Sequence, residues 1–349
     1  MGKRLLVEVH YKLNEGMRDE FLQKIKEAAI VEESRKEAGN GRYEYFFPVT
    51  DPDSLVLFEV WNTGEDQRRH TETEHYRRLS ELKMKYVADT QVKKTIIEHT
   101  AQSHYIASCV FTSKYPELSE KIQSYVAGRF GIPVVRCCVP HYRFEYFNGQ
   151  MPTEYRSKWS GLPDCGDYAP GDTVYSLCHN CSAIIEEYKK GVAVKSLWEL
   201  ILADETFAYP DYKGAVAEVQ DCWRARGRRS EQDAVRALLQ RMNFRVQELA
   251  DNRDKTEFCG ISLYRPSPKR NLELAPNRYV KNAEGKFLPH SREEQTEIMR
   301  RYSQCFHAPN VVDYCHYCQE GLEIGGVNAF HIASLLFDAD ECRKKIVRG

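Results

Sequence analysis

The sequence predicts an α+β ferredoxin-like N-terminal domain followed by two α/β segments, and three observations carry that prediction. Over the first hundred residues, strand and helix patterns succeed one another as β-α-β-β-α-β. From residue 103 onward, short apolar runs alternate with helical ones, the pattern of a parallel sheet. All 12 cysteines lie beyond residue 100, and ten of them fall into two rows of similar order.

The elements follow in turn. Arg4 to Leu13 is apolar with partial alternation and reads as a strand. Gly16 to Glu37 carries Phe21, Ile25, Ala28 and Ile30 at helical spacing. Gly41 to Phe47 and Ser54 to Trp61 are strands on either side of the Asp51-Pro-Asp53 turn. Glu65 to Tyr86 is helical with a break at Thr71 to Thr73, and Val92 to His99 closes the set as a fourth strand. His70 and His75 are five residues apart, about 140° around a continuous helix. They share a metal site only if the helix breaks between them; otherwise one lines a pocket and one faces solvent.

Beyond a linker near Thr100 to Ser103, strands are expected at Ser103 to Val110, Ile132 to Cys138 and Thr173 to Leu177. Helices are expected at Tyr115 to Phe130 and Ala183 to Lys190. The pattern then recurs. Strands fall at Gly214 to Asp221, Phe244 to Leu249 and Asn310 to Tyr314. Helices fall at Ser230 to Met242, with Ser230 as N-cap, at Ser291 to Cys305 and at Ala329 to Phe337. Residues 150–172 and 266–289 read as long excursion loops. The first follows a run crowded with aromatics (His141 to Phe147) and adds Tyr155, Trp159 and Tyr168, suited either to lining a cleft or to capping the sheet. This gives three domains: 1–100, 103–210 and 211–349.

A chain of 349 residues with 42% hydrophobic content can bury cores of that number. The formal net charge of −1 supplies no global field toward nucleic acid or anionic lipid. The basic run Arg224 to Arg229 reads as a solvated helix end. No apolar run approaches the roughly 20 residues of a membrane span. The N-terminus is too short and alternating for a signal peptide, and Leu6 breaks the myristoylation pattern. A cytoplasmic protein with no nucleic-acid partner and no membrane span is expected. In that reducing setting many cysteines point to metal or redox ligation rather than disulfides.

The first cysteine row is Cys109, the pair Cys137-Cys138, then Cys178 and Cys181 in a C-x-x-C. The second is Cys222, Cys259, then Cys315 and Cys318 in another C-x-x-C, with Cys305 just upstream. Most of these follow an apolar run at the expected carboxyl end of a strand, where open α/β sheets bind ligands. Thiolates in such arrays are ligands of iron–sulfur clusters and of zinc.

Two resemblances sharpen this. The strings LVEVHYKL, RDEFL, RYEYFFPVTDPDSLVLFEVW and HTETEHYRRL resemble the antibiotic-biosynthesis monooxygenase (ABM) family, over nearly all of the first hundred residues. That resemblance implies a dimeric α+β barrel, hence a homodimer, and in many members cofactor-free oxygenation of quinol-like aromatics. The strings SCVFTS, VVRCC, YSLCHNC, VQDCWRA, TEFCG and VVDYCHYCQEGLEIGG resemble the cysteine-rich CCG domain, two tandem copies of which form the cysteine-rich subunit of heterodisulfide reductase. This likeness covers roughly residues 103–338. It implies a non-cubane [4Fe-4S] cluster held by Cys109, Cys137, Cys138, Cys178 and Cys181, with intervals of 27 and 39 residues. Val139 stands where a glycine usually follows the pair. In the second repeat Phe258 takes the first place of the pair, so Cys222, Cys259, Cys315 and Cys318 remain, at intervals of 36 and 55. Four thiolates suit a cubane [4Fe-4S] cluster or tetrahedral Zn²⁺. His179 and His316, inside the C-x-x-C motifs, are expected to tune a cluster by hydrogen bonding. Cys165 and Cys342 have no place in either pattern, and Cys305 stands in for the missing ligand only if its loop folds back.

The resemblance implies an oxidoreductase of the disulfide reductase kind, fed by an iron–sulfur or flavoprotein donor and acting on a small sulfur-containing substrate, in an anaerobic setting. The alternatives are an electron-transfer or scaffold protein dimerised by its first domain, a cofactor-free monooxygenase, and a protein whose two sites are structural zinc sites.

Overall fold

A computed structural model of the chain describes residues 2–140, 142–165 and 168–347. It divides into two compact units: Met1–Gln102 with Asp167–Asp172 and Tyr188–Ala193, and Ser103–Gly166 with Thr173–Glu187 and Val194–Gly349.

The first unit runs β1 (Gly2–Leu13), α1 (Arg18–Glu27), α2 (Ile30–Lys36), β2 (Asn40–Phe46), β3 (Ser54–Trp61), α3 (Gly64–His70), α4 (Glu74–Tyr86) and β4 (Val87–His99). Its antiparallel sheet has the order β2-β3-β1-β4, the ferredoxin-like arrangement. Alternation along β1 turns Leu5, Val7, Val9, Tyr11 and Leu13 to one face, where Phe21, Ile25, Ile30, Leu79 and Tyr86 cover them. Each such aliphatic or aromatic burial contributes about 1.5–3 kcal/mol. Two expected helices are each divided. Ala29, in the left-handed region at φ 52°, separates α1 from α2. Thr73 stops α3 and starts α4 by accepting the Tyr76 N–H on its hydroxyl. Within this unit, Asp172 accepts hydrogen bonds from His99 Nε2 at 2.6 Å, Gln102 N and Ala169 N.

The second unit contains two four-stranded sheets of one design. The first comprises β5 (Ser103–Ile106), β6 (Val134–Val135), β7 (Thr173–Ser176) and β8 (Ala193–Ser196), in the order β6-β5-β7-β8. Its helices are α5 (Cys109–Lys114), α6 (Pro116–Phe130), α7 (Phe144–Gln150), α8 (Thr153–Gly161), α9 (His179–Tyr188) and α10 (Leu197–Leu202). The second comprises β9 (Val216–Gln220), β10 (Arg245–Glu248), β11 (Val311–Asp313) and β12 (Ala329–His331), in the order β10-β9-β11-β12. With it go α11 (Arg229–Arg241), α12 (Lys269–Leu274), α13 (Arg292–Tyr302), α14 (His316–Gly325), α15 (Ile332–Phe337) and α16 (Ala339–Lys345). In both, the second strand lies outside the first and the third beside it. The pairings β5–β6, β5–β7, β9–β10, β9–β11 and β11–β12 are all parallel.

Several elements differ from expectation. The strands are shorter than their apolar runs: Val134 and Val135 alone pair in the Ile132–Cys138 run, because Pro133 lacks an N–H. Ser230 lies inside α11, whose N-cap position is Arg228. The Ala329–Phe337 run divides into β12 and α15, since the His331 side chain accepts the Ala333 N–H and starts a helix there. Both excursion loops contain helices, α8 in the first and α12 in the second.

Gly260 shows how tightly the second sheet closes at its carboxyl edge. It sits at φ +57°, and a Cβ there would lie 1.9 Å from the Tyr317 carbonyl oxygen. Only glycine lets the segment after Cys259 approach α14 so closely. Gly260→Ala is expected to destabilise the fold by more than the roughly 1–3 kcal/mol of left-handed strain alone, read as a lowered urea midpoint at unchanged slope.

Candidate metal centres

Strand ends place the cysteines. Cys137, Cys178, Cys222 and Cys315 each come two residues after a parallel strand (β6, β7, β9, β11), and Cys109 three after β5. Each C-x-x-C straddles a strand end and the first turn of α9 or α14, where the unpaired N–H groups and helix dipole favour thiolate. All nine row cysteines are buried.

Cys222, Cys259, Cys315 and Cys318 form one knot, with all four sulfurs within 4.8 Å of one another. Cys222 and Cys259 are 3.3 Å apart, and Cys259 and Cys315 3.8 Å. Sulfurs bound to one tetrahedral ion at about 2.3 Å would be about 3.8 Å apart. A four-iron cluster puts each thiolate on a different iron and spreads the sulfurs further. Burial pushes the Cys315 thiol up, but hydrogen bonds from Cys222, Cys259 and Cys318 outweigh it and hold it well below the usual thiol range.

The other five cysteines form a string rather than a knot. Hydrogen bonds link Cys109 to Cys137, Cys137 to Cys138, Cys138 to Cys181 and Cys181 to Cys178, the first at 3.6 Å. The bond from Cys181 lowers Cys178 to about 6. Five sulfurs in line exceed the coordination sphere of one tetrahedral ion. Beside them a narrow crevice reaches Cys137, walled by Arg136, Tyr142, Phe144, Trp159 and Asp164. Aromatic residues of the excursion thus pack beside Cys137 without leaving an open channel there; its His141 lies outside the described residues.

Each centre also holds a buried guanidinium. Arg270 of α12 places Nη1 3.7 Å from Cys138 Sγ and 3.9 Å from Cys137 Sγ, with its plane 3.7 Å above the Tyr142 ring. Arg224 donates to Cys259 Sγ at 2.5 Å and to Ser262 Oγ at 2.8 Å. Among the described residues, no ion pair joins either to a carboxylate. A buried cation without a counter-charge is costly, so the sulfurs around it must carry negative charge. Sequence reasoning missed both. Arg224 looked like part of a solvated basic run, yet it is 3% exposed. Arg270 sits in a polar excursion with no motif to mark it.

The two C-x-x-C histidines differ. His179 Nε2 lies 3.1 Å from Glu231 Oε1. Burial opposes its charge, but Glu231 and the nearby Cys315 thiolate prevail and push it up to about 10. Burial lowers His316 to about 3, and among the described residues neither of its ring nitrogens has a hydrogen-bond partner. The expected tuning by hydrogen bonding to sulfur is not seen at His316. Cys305 is exposed after α13 and outside the knot; Phe258, at the missing cysteine's place, stacks on Tyr302 at 4.1 Å. Cys165 is half-buried and Cys342 is buried in α16.

Comparison with known proteins bears on the first unit. The sequence model of the antibiotic biosynthesis monooxygenase family matches residues 4–82, so an ABM domain stands at the N-terminus. YcnE of Bacillus subtilis (strain 168) is 29% identical over 72 residues, 21% of this chain and 74% of that protein. Two similar solved structures each align with 28% of this chain. PA3566 from Pseudomonas aeruginosa is 21% identical, with 98% of that chain covered and a TM-score of 0.27. An antibiotic biosynthesis monooxygenase structure from Nitrosomonas europaea is 24% identical, with 92% covered and a TM-score of 0.26.

Cobalt substitution tests the knot. Co²⁺ in wild-type protein should give intense sulfur-to-metal charge-transfer absorption; Cys259→Ser should weaken and shift it, and Cys305→Ser should leave it unchanged.

Proposed function

We propose that the chain is an iron–sulfur redox protein resembling the cysteine-rich subunit of heterodisulfide reductase, its second unit read as two CCG-like repeats, 103–210 and 211–349. Cys109, Cys137, Cys138, Cys178 and Cys181 would hold a non-cubane [4Fe-4S] cluster. Cys222, Cys259, Cys315 and Cys318 would hold the second centre, whose sulfur spacing favours a single tetrahedral ion, Zn²⁺ among them, over a cubane. The observation that carries the reading is the five-sulfur string under Arg270, a guanidinium whose charge calls for thiolates. A bound cluster would supply one-electron chemistry toward a disulfide or related sulfur compound. An external iron–sulfur or flavoprotein carrier would deliver the electrons. The protein's own residues bury the sulfurs and offset their charge through Arg270 and Arg224.

Purification without air followed by iron and acid-labile sulfide analysis tests this. Both should be present, and Cys138→Ser should alter the EPR signal of the first centre while leaving metal at the second. Absence of iron and sulfide from the wild type would sink it.

A second reading, electron relay without small-molecule chemistry, is favoured by the burial of every ligand sulfur. A cofactor-free monooxygenase, supported by the family match alone, is the third. We further propose a homodimer made through the first unit. Its β4 is a 13-residue edge strand that exposes Val92 and Ile96 among polar residues, and a long unpaired edge leaves backbone groups to pair with a second copy. Light scattering at micromolar concentration should give about twice the 40.6 kDa chain mass; the chain mass itself would refute the dimer.

A further inference from the structure

The break between α3 and α4 overturns the expectation that His70 and His75 point apart. His70 ends α3, Thr73 restarts the chain, and His75 is the second residue of α4. Both imidazoles turn toward Glu37, the residue that closes α2. His70 Nδ1 lies 2.5 Å and His75 Nε2 2.7 Å from the same carboxylate oxygen, Glu37 Oε1. The three ligand atoms all lie within 4.8 Å of one another. Thr73 Oγ1 is 3.1 Å from His75 Nε2 and adds an oxygen at the rim.

Hydrogen bonding alone accounts poorly for His70. The ring is fully buried, with the Trp61 ring 4.8 Å, the Tyr76 ring 5.1 Å and the Tyr43 ring 5.5 Å away. Among the described residues its Nε2 has no hydrogen-bond partner. If Nδ1 carries the proton toward Glu37, Nε2 is left as a bare lone pair among ring faces. Those faces accept an N–H weakly and offer nothing to a lone pair. If Nε2 carries the proton, Nδ1 aims a lone pair at a carboxylate oxygen, acceptor against acceptor, unless a cation lies between them.

We propose that Glu37, His70 and His75 form a metal site for one divalent first-row ion of the Fe²⁺ or Mn²⁺ kind. Two imidazoles and one carboxylate are the facial ligand set that leaves further positions open on such an ion. The site draws on none of the cysteines and stands whether or not they hold iron. Glu37 and His75 keep partial exposure, 17% and 11% of their side chains, which gives an ion a way in.

Mn²⁺ is the discriminating probe, because it prefers carboxylate and nitrogen over thiolate. Titrating the full chain with Mn²⁺ and following the free-ion EPR signal should show one ion bound per chain. Glu37→Gln and His75→Gln, each checked for native circular dichroism, should weaken that binding at least tenfold. Pulsed EPR of the wild-type complex should show nitrogen modulation from coordinated imidazole, a readout that holds even if a variant does not fold. No uptake by the wild type, equal uptake by the folded variants, or bound Mn²⁺ without nitrogen modulation would overturn the site. The triad would then be a hydrogen-bonded knot that holds no metal.

Discussion

Concentrated buried sulfur is the constraint on which the second unit depends. Nine thiols without a metal would be a packing of weak donors that asks for no ions. The fold nonetheless buries Arg224 and Arg270 against them, with no carboxylate for either among the described residues. A guanidinium keeps its proton under any folding condition. The compensating charge must therefore sit on sulfur, and several adjacent thiolates in turn need cations to coexist. Hydrogen bonds from neighbouring thiols and the arginines help to meet both demands, and a bound metal ion would add to them. The packing above the sulfurs follows from this. Tyr142 stacks on Arg270, and Tyr317, Tyr279 and Phe287 surround Arg224 with ring faces that accept a cation.

Much of this plan is legible in the sequence, because the strand ends carry it. Cys137, Cys178, Cys222 and Cys315 each follow an apolar run, and the runs do become parallel strands. The N-terminal strand order is equally plain, since alternation in β1 and β3 is carried by long apolar runs. What escaped has two causes: interactions between residues remote in sequence, and local caps that break a helical pattern. Arg270 reaches Cys138 across 132 positions. Arg224 hides in a basic run because its burial depends on Cys259 and Ser262. The meeting of His70 and His75 turns on one capping hydroxyl, that of Thr73, which converts a helical angle into convergence. The division of the Ala329–Phe337 run is of the same sort: a local cap beats the helical pattern.

The two centres are related in topology and unlike in ligand geometry. Both sheets run second-first-third-fourth, and both deliver a C-x-x-C after the third strand. The first keeps an adjacent cysteine pair, and its sulfurs extend as a string. The second has Phe258 where a sulfur would complete the pair. That ring stacks nearly parallel on Tyr302, at 12°. Gly260, the residue after Cys259, lies close against Tyr317 of α14.

The halves of the second unit are also joined electrically. Glu186 pairs with Arg228, Arg228 Nε donates to Glu231 at 2.6 Å, and Glu231 meets His179, which lies near the Cys315 thiolate. The signs alternate along that line from the half-exposed Glu186 to a ligand of the second centre. Arg228, Glu231 and His179 expose little of their side chains, and each is offset by opposite charge on both sides. His179 belongs to the first C-x-x-C and Glu231 to the first turns of α11, so the line crosses from one half to the other. Removing Arg228, Glu231 or His179 would take a partner from a buried charge near the cysteines. A separated half would have to bear that cost, so the line ties the two parallel sheets to one another.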